Sequence, residues 1–255
     1  MADIQALAAT VDDAARKATA IPQLSSHTTM NMNDAYAVQK ASIGRRISRG
    51  EKRVGIKMGF TSRAKMIQMG LSDMIWGRLT SGMILEEGAP ISISKYVHPR
   101  IEPEIAFLLK SELVGKVTSL QALAAVEAVA PAMELIDSRY EKFKFSLEDV
   151  VADNSSSSGF VTGAWHKPDF DFSNLGLVLS FNGKPMLIGS TAALLGHPLR
   201  SLVAAARFAA EAGEPLQPGW IVMAGGATAA EALAPDTFVE MEMQHLGRVA
   251  FSVKA

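Results

Sequence analysis

Three glutamates in two apolar stretches are the residues of this 255-residue sequence best suited to carry chemistry. Glu102 and Glu104 belong to residues 98–109, which we predict to be a loop leading into a strand, so both side chains should point the same way. Glu134 lies in a second apolar run, residues 129–136. Buried carboxylates that face each other are costly unless a cation lies between them. The pattern therefore indicates a hard-cation site for Mg²⁺ or Mn²⁺, with its remaining positions left to water or substrate.

Two other interpretations of these acids are open at this point. A Glu-X-Glu pair is common on strands whose alternate residues face water. An acid inside an apolar strand can also form a buried ion pair, and Arg100 or Arg139 could supply the cation. Residue chemistry alone supports the metal site and the buried ion pair about equally.

Composition excludes several classes of protein. The net charge of −1 and the isoelectric point near 6.5 give no support for a nucleic-acid or membrane-surface binder. The absence of cysteine excludes disulfides, thiolate metal sites and a cysteine nucleophile. The amino-terminal residues have no basic flank before an apolar core, and no apolar run is as long as a membrane span. We expect a soluble cytoplasmic protein.

Helices and strands must position the acids. Apolar spacing predicts amphipathic helices over residues 3–19 and 33–50, which form an amino-terminal helical segment, residues 1–52, packed on a catalytic β-rich domain, residues 53–255. Residues 53–61 predict a strand in which Lys57 stands between Gly55 and Gly59, where backbone can approach a ligand closely.

The rest of the chain predicts short strands with a few helices. We expect further helices over residues 62–69, 119–128 and 199–212, and a loop over 71–81. Asn182-Gly183 predicts a hairpin, and residues 238–243 should pair with 249–253. The four serines at 155–158 form either a flexible linker or a tight turn near a ligand. This pattern is typical of an α+β fold built on a curved, mixed or antiparallel sheet, and no dinucleotide-binding glycine fingerprint is present.

Four motifs in order resemble one family. They are residues 55–61 with Lys57, Pro103-Glu104-Ile-Ala-Phe preceded by Glu102, Met133-Glu134-Leu-Ile-Asp-Ser-Arg, and Ala152-Asp-Asn-Ser. Together they resemble the fumarylacetoacetate hydrolase superfamily, and within it the hydratases and decarboxylases of catechol meta-cleavage pathways. The resemblance implies Mg²⁺ or Mn²⁺ held by Glu102, Glu104 and Glu134, a catalytic Lys57 and the curved sheet roll of that superfamily.

The resemblance also separates the activities. In the hydratases an aspartate beside Phe-Gly is the residue that handles water, and this chain has Ile75 at that place. We therefore expect a decarboxylase, a carbon–carbon lyase that converts 2-oxo-3-hexenedioate to 2-oxopent-4-enoate and CO₂ through a metal-stabilised dienolate. The alternatives are the hydratase, an acylpyruvate-type hydrolase and a non-catalytic partner of a companion enzyme. The branch implies a homo-oligomer and a complex with the pathway hydratase.

Roles for single residues follow from this mechanism. Lys57 would hold the oxo-acid end or donate the proton, or would simply pair with a metal-site glutamate. Ile75 and Trp76 would surround the leaving carboxylate with apolar groups. Arg139 would bind a substrate carboxylate or orient Asp137. The remaining candidates for substrate binding are Ser156, Ser157 and Thr228.

Overall fold

The computed structural model describes residues 2–68 and 73–255, which form six α-helices and twelve strands. The helices are α1 Ile4–Lys17, α2 Met32–Ser48, α3 Arg63–Gln68, α4 Ser119–Ala124, α5 Leu147–Ala152 and α6 Leu199–Glu211. The strands are β1 Arg53–Gly59, β2 Ile75–Thr80, β3 Pro90–Ser92, β4 Pro99–Leu109, β5 Val126–Asp137, β6 Ser157–Thr162, β7 Gly176–Phe181, β8 Lys184–Ser190, β9 Ile221–Met223, β10 Glu231–Ala232, β11 Phe238–Met243 and β12 Gly247–Lys254.

The strands form two sheets. The first has the order β2-β1-β9-β4-β5-β6, with β10 also paired to β4, and the second has the order β3-β12-β11-β7-β8. Most neighbours are antiparallel, while β1–β9 and β12–β3 are parallel. The prediction of an α+β fold on a mixed sheet is therefore confirmed.

The main core lies between the two sheets and α6. Its fully buried members include Phe107 and Met133 from the first sheet and Met241 and Phe251 from the second. Alternating side chains on strands of both sheets are what allow this shared apolar layer to form. The arrangement leaves the middle of β4 and β5 inside the molecule, where Glu104 and Glu134 lie.

The amino-terminal helices form a second apolar cluster. Val11 of α1 and Val38 of α2 pack with Ile75 of β2 and Val151 of α5. Asp12 also pairs with Arg45 of α2 and with Arg49, the residue that follows α2, so α1 and α2 are joined by charge as well as by packing. The helical layer therefore rests directly on the strand that carries Ile75.

Three predicted segments differ from the structure. Residues 75–80 of the predicted loop form strand β2, because they pair with β1 along its length, while residues 71 and 72 lie outside the described part of the chain. The predicted helix 119–128 was too long, since α4 ends at Ala124 and β5 begins at Val126. Of the predicted helix 62–69, α3 covers Arg63–Gln68, and Met69 lies outside the described residues.

Two turn predictions can also be compared. The hairpin at Asn182-Gly183 is confirmed by the pairing of β7 with β8. The serine run is a tight turn rather than a linker: a short 3-10 turn over Asn154–Ser156 leads directly into β6. None of the described helices combines the length and the apolar character of a membrane span.

Candidate metal and substrate site

Strands β4 and β5 bring the three glutamates together. In the antiparallel register Glu102 lies opposite Glu134, and Glu104 lies opposite Ala132 on the same side of β4 as Glu102. One oxygen from each carboxylate lies within 4.8 Å of the other two. Glu104 and Glu134 are fully buried, and Glu102 is half-buried. The structure therefore places an acidic triad at one buried point.

The protein supplies few donors to these carboxylates. Glu134 Oε1 accepts a hydrogen bond from the Ser157 hydroxyl at 2.7 Å, and Glu104 Oε2 accepts one from the Gly225 N–H at 2.8 Å. Glu104 Oε1 is buried and has no hydrogen-bond partner among the described residues. A buried oxygen without a partner in a cluster of carboxylates suits a divalent cation, because oxygen ligands of this kind are those that Mg²⁺ takes.

Lys57 is the protein's own cation at the triad. Its Nζ lies 2.9 Å from Glu134 Oε2, and both side chains are almost completely buried. Burial lowers the pKa of Lys57, but Glu134, Glu102 and Glu104 raise it by more, so the amine stays charged. Burial raises the pKa of Glu104 well above its usual range, and the neighbouring carboxylates raise it further. One ammonium thus faces three carboxyl groups, so either a proton on Glu104 or a further cation must balance their charge.

Gly77 of β2 makes room for Lys57. The two residues are paired across β1 and β2. A Cβ at position 77 would lie 3.2 Å from Lys57 Cγ and 2.5 Å from the Asn154 carbonyl oxygen. Only glycine therefore lets the lysine stem and the turn at residues 154–156 approach β2 together.

A cavity of about 320 Å³, which we call the inner cavity, opens next to the triad. Polar groups line one part of it, namely Lys57, Arg100, Glu102, Ser155 and Ser156. Ile75, Ile136, Phe143, Phe145 and Val150 form its apolar wall. A second cavity of about 300 Å³ shares Gly59, Phe60 and Glu102 with the first and is also lined by Thr228. Glu102 therefore faces both spaces.

Three of the six predicted substrate residues line these cavities. Ile75 and Ser156 line the inner cavity, and Thr228 lines the second one. Ser157 has a different position from the predicted one, because its hydroxyl donates to Glu134. Ser157 therefore holds a triad carboxylate in place rather than facing the cavity.

Trp76 lies away from the inner cavity. It follows Ile75 on β2, so its side chain points to the other side of the strand. The indole stacks on Tyr36 with 5.6 Å between ring centroids, and the Arg78 guanidinium lies 4.4 Å from the indole centroid. The predicted contact of Trp76 with a leaving carboxylate is therefore not supported by its position.

Arg139 is also directed elsewhere. Its Nε donates to the Asp153 carboxylate at 2.5 Å, and it lines neither cavity. Burial raises the pKa of Asp153 to about 7, although Arg139 opposes that shift. Asp137 instead accepts the Val97 N–H at 3.0 Å, so Arg139 does not orient it. The arginine braces the turn that carries the serines.

Sequence reasoning missed Arg100 and Phe143 as cavity residues. Arg100 precedes Glu102 by two residues on β4, so strand alternation could have placed it beside the glutamates. Phe143 lies in an irregular segment after β5, and no periodic pattern points to it.

Comparison with known proteins gives one consistent result. The family described as fumarylacetoacetate hydrolase C-terminal matches residues 58–254. A 4-oxalocrotonate decarboxylase from a Pseudomonas species is 58% identical over 249 residues, which cover 98% of this chain and 97% of that protein. A 2-keto-4-pentenoate hydratase from Paraburkholderia xenovorans strain LB400 is 35% identical, covering 86% of this chain and 83% of the relative.

A solved structure agrees with this. The 4-oxalocrotonate decarboxylase from Pseudomonas putida G7, complexed with magnesium and adipate, superimposes with a TM-score of 0.95 and 39% identity. The match covers 98% of this chain and 97% of the other. The amino-terminal helices, the two sheets and the strands that carry the triad are therefore shared with that enzyme.

Proposed function

Because this chain belongs to the fumarylacetoacetate hydrolase family, we propose that it decarboxylates 2-oxo-3-hexenedioate (4-oxalocrotonate) to 2-oxopent-4-enoate and CO₂. The observation that carries the proposal is the 58% identity with a 4-oxalocrotonate decarboxylase over nearly the whole of both chains. The hydratase relative is less similar and matches a smaller share of this chain. Ile75, on the apolar wall of the inner cavity, agrees with the decarboxylase, since this wall offers no acid to activate water.

The triad is the proposed metal site. Glu102, Glu104 and Glu134 would hold Mg²⁺, the ion bound in the solved relative, or Mn²⁺. A bound divalent ion supplies Lewis-acid stabilisation of negative charge on the oxygens of a 2-oxo acid. The unpartnered Glu104 Oε1 and the surplus of carboxylates over ammonium groups are what support an ion at this place.

The reaction breaks one carbon–carbon bond. The bond between C5 and the distal carboxylate opens, CO₂ leaves, and the electron pair moves through the C3–C4 double bond to the ketone oxygen. Protonation of the resulting dienolate at carbon or oxygen gives 2-oxopent-4-enoate or its enol. No water enters the reaction, so a cavity with an apolar wall of Ile75, Phe145 and Val150 suits it.

Lys57 is the proposed catalytic residue. Its ammonium is buried, held by Glu134, and faces the inner cavity. A fixed cation there stabilises negative charge that develops on the ketone oxygen, and its Nζ carries a proton that can return to the dienolate. Ser157 supports this arrangement by fixing the other oxygen of Glu134.

We also propose that the protein forms homo-oligomers and associates with the hydratase that consumes its product. The edge strand β8 supports an assembly, because Ile188 is 79% exposed and Met186 is 41% exposed there. Size-exclusion chromatography with light scattering, on the protein alone and mixed with the hydratase, tests both statements. A monomer that does not elute with the hydratase would refute them.

A substrate comparison tests the activity. The purified chain with MgCl₂ should release CO₂ from 2-oxo-3-hexenedioate and should add no water to 2-oxopent-4-enoate. Absorbance follows loss of the conjugated 2-oxo-3-hexenedioate and of the conjugated dienol form of 2-oxopent-4-enoate, and trapped CO₂ distinguishes the reactions. Hydration of 2-oxopent-4-enoate without CO₂ release would identify the protein as a hydratase and not a decarboxylase. Cleavage of an acylpyruvate alone would identify it as a hydrolase.

A further inference from the structure

Arg100 lies in the same row of side chains as the metal-site glutamates. On β4 it occupies the second position before Glu102 and the fourth before Glu104, so all three side chains project to one side of the strand. It lines the inner cavity together with Lys57 and Glu102. The cavity therefore contains a second cation, separate from the lysine at the triad.

This guanidinium has no anionic partner among the described residues. The interior arginines Arg78 and Arg139 each pair with an acid, at 2.9 Å and 2.5 Å respectively. Arg100 forms no ion pair or hydrogen bond with any described side chain, and instead its Cζ lies 4.4 Å from the centroid of the Phe143 ring. The ring holds the guanidinium by cation–π attraction and leaves its N–H donors free for a ligand.

The spacing fits a six-carbon dicarboxylate. Two residues along a strand advance about 6.6 Å, close to the length of an extended six-carbon chain. A substrate whose 2-oxo acid lies at the glutamates and Lys57 would therefore place its far carboxylate beside Arg100 and Phe143. Resting on the proposed function, we infer that Arg100 binds the distal carboxylate of the substrate and makes the enzyme specific for dicarboxylates.

The expected effect of Arg100 is on binding rather than on the chemical step. The carboxylate that it binds leaves as neutral CO₂, so this ion pair is strongest in the ground state and weakens as the bond breaks. An interaction of that kind lowers KM without raising kcat. Phe143 reduces the cost of losing this ion pair, because the guanidinium keeps its aromatic partner after the carboxylate has left as CO₂.

Binding of two six-carbon acids tests the assignment without turnover. Calorimetric titration of the full chain with MgCl₂ compares adipate, which has two carboxylates, with hexanoate, which has one. We expect the wild type to prefer adipate by about 10- to 100-fold, and Arg100→Gln to bring the ratio close to one. Arg248→Gln, which changes an exposed arginine of β12, should keep the wild-type ratio.

Two further results decide the inference. Arg100→Lys keeps the charge but cannot form a bidentate pair, so the preference for adipate over hexanoate should fall by about 3- to 10-fold. Circular dichroism verifies that each variant is folded. With 2-oxo-3-hexenedioate, Arg100→Gln should raise KM by about 10- to 100-fold and should not lower kcat by more than about 3-fold.

Three outcomes would overturn the inference. They are a wild type without preference for adipate, a wild-type ratio in both Arg100 variants, and a loss confined to kcat. A clear adipate preference that depends on Arg100, in a protein that releases no CO₂, would refute the proposed reaction alone.

Discussion

Replacing Lys57 by Met tests the charge balance of the acidic triad. The ammonium lies 2.9 Å from Glu134, and the two side chains are 4% and 0% exposed. Removing one partner of a buried ion pair costs about 3–5 kcal/mol, because the other charge is left without compensation. The lower value applies here, since burial has already raised the pKa of Glu134 and a proton can relieve part of the penalty.

The loss should be visible in thermal unfolding and should depend on metal. For a chain of this size about 3 kcal/mol corresponds to a fall of about 6–12 °C in unfolding temperature in a metal-free buffer. Added MgCl₂ or MnCl₂ supplies the missing positive charge, so the ion should stabilise Lys57→Met more than the wild type. The matched variant Lys184→Met, at an exposed hairpin position, should stay within about 0.5 kcal/mol of the wild type.

Two results would refute this reasoning. A metal-free Lys57→Met protein as stable as the wild type would mean that the lysine does not balance the triad. A deficit of the same size with and without a divalent ion would mean that the ion binds elsewhere.

Three other changes test neighbouring parts of the account. Ser157→Ala removes the hydroxyl that fixes Glu134, and Mn²⁺ affinity measured by calorimetry should fall by about 10- to 100-fold. Glu214→Gln should lower the free energy of unfolding in urea by about 2–3 kcal/mol at pH 7, because two arginines hold the pKa of Glu214 at about 2. This loss should shrink as the pH falls from about 4.5 towards 2, where the wild-type carboxylate also becomes neutral. Gly77→Ala would place a Cβ against the Asn154 carbonyl oxygen and should cost about 1–3 kcal/mol, with a raised KM because the serine turn moves.

Each of these has its own control or contrary result. Ser158→Ala removes the adjacent hydroxyl, which donates to the Ser156 carbonyl oxygen, accepts from Arg139 and contacts no glutamate, and it should keep full Mn²⁺ affinity. A Glu214→Gln deficit that is constant from pH 7 to pH 3 would show that the charge of Glu214 contributes nothing. A fully stable Gly77→Ala protein would mean that β2 and the turn are further apart than the structure indicates.

The acidic triad could be predicted from the sequence because its geometry depends on local rules. Strand alternation places Glu102 beside Glu104, and an acid within an apolar run marks Glu134 as a buried group. Similarity in the four motifs then indicated the family, which the match over residues 58–254 confirms. The position at which the three glutamates come together depends on the β4–β5 register, which the residue pattern alone did not specify.

The predictions that the structure does not support concern residues whose positions depend on long-range contacts. The predicted loop over residues 71–81 is wrong at residues 75–80, where pairing with β1 and burial on both sides form a strand. That strand turns Trp76 away from the inner cavity. Arg139 was predicted to contact the substrate. Its partner in the structure, Asp153, lies 14 residues further along the chain, and no sequence pattern links the two residues.

The central claim is that Glu102, Glu104 and Glu134 hold the ion on which decarboxylation depends. Mn²⁺ titration of the wild type, Glu104→Gln and the exposed β5 control Glu127→Gln tests it most directly, with CO₂ release measured on the same samples before and after chelation. We expect one ion per chain in the wild type and the control, at least 100-fold weaker binding in Glu104→Gln with an unchanged circular dichroism spectrum, and no CO₂ release without the ion. Wild-type Mn²⁺ affinity in Glu104→Gln, or full CO₂ release from the chelated enzyme, would contradict the account.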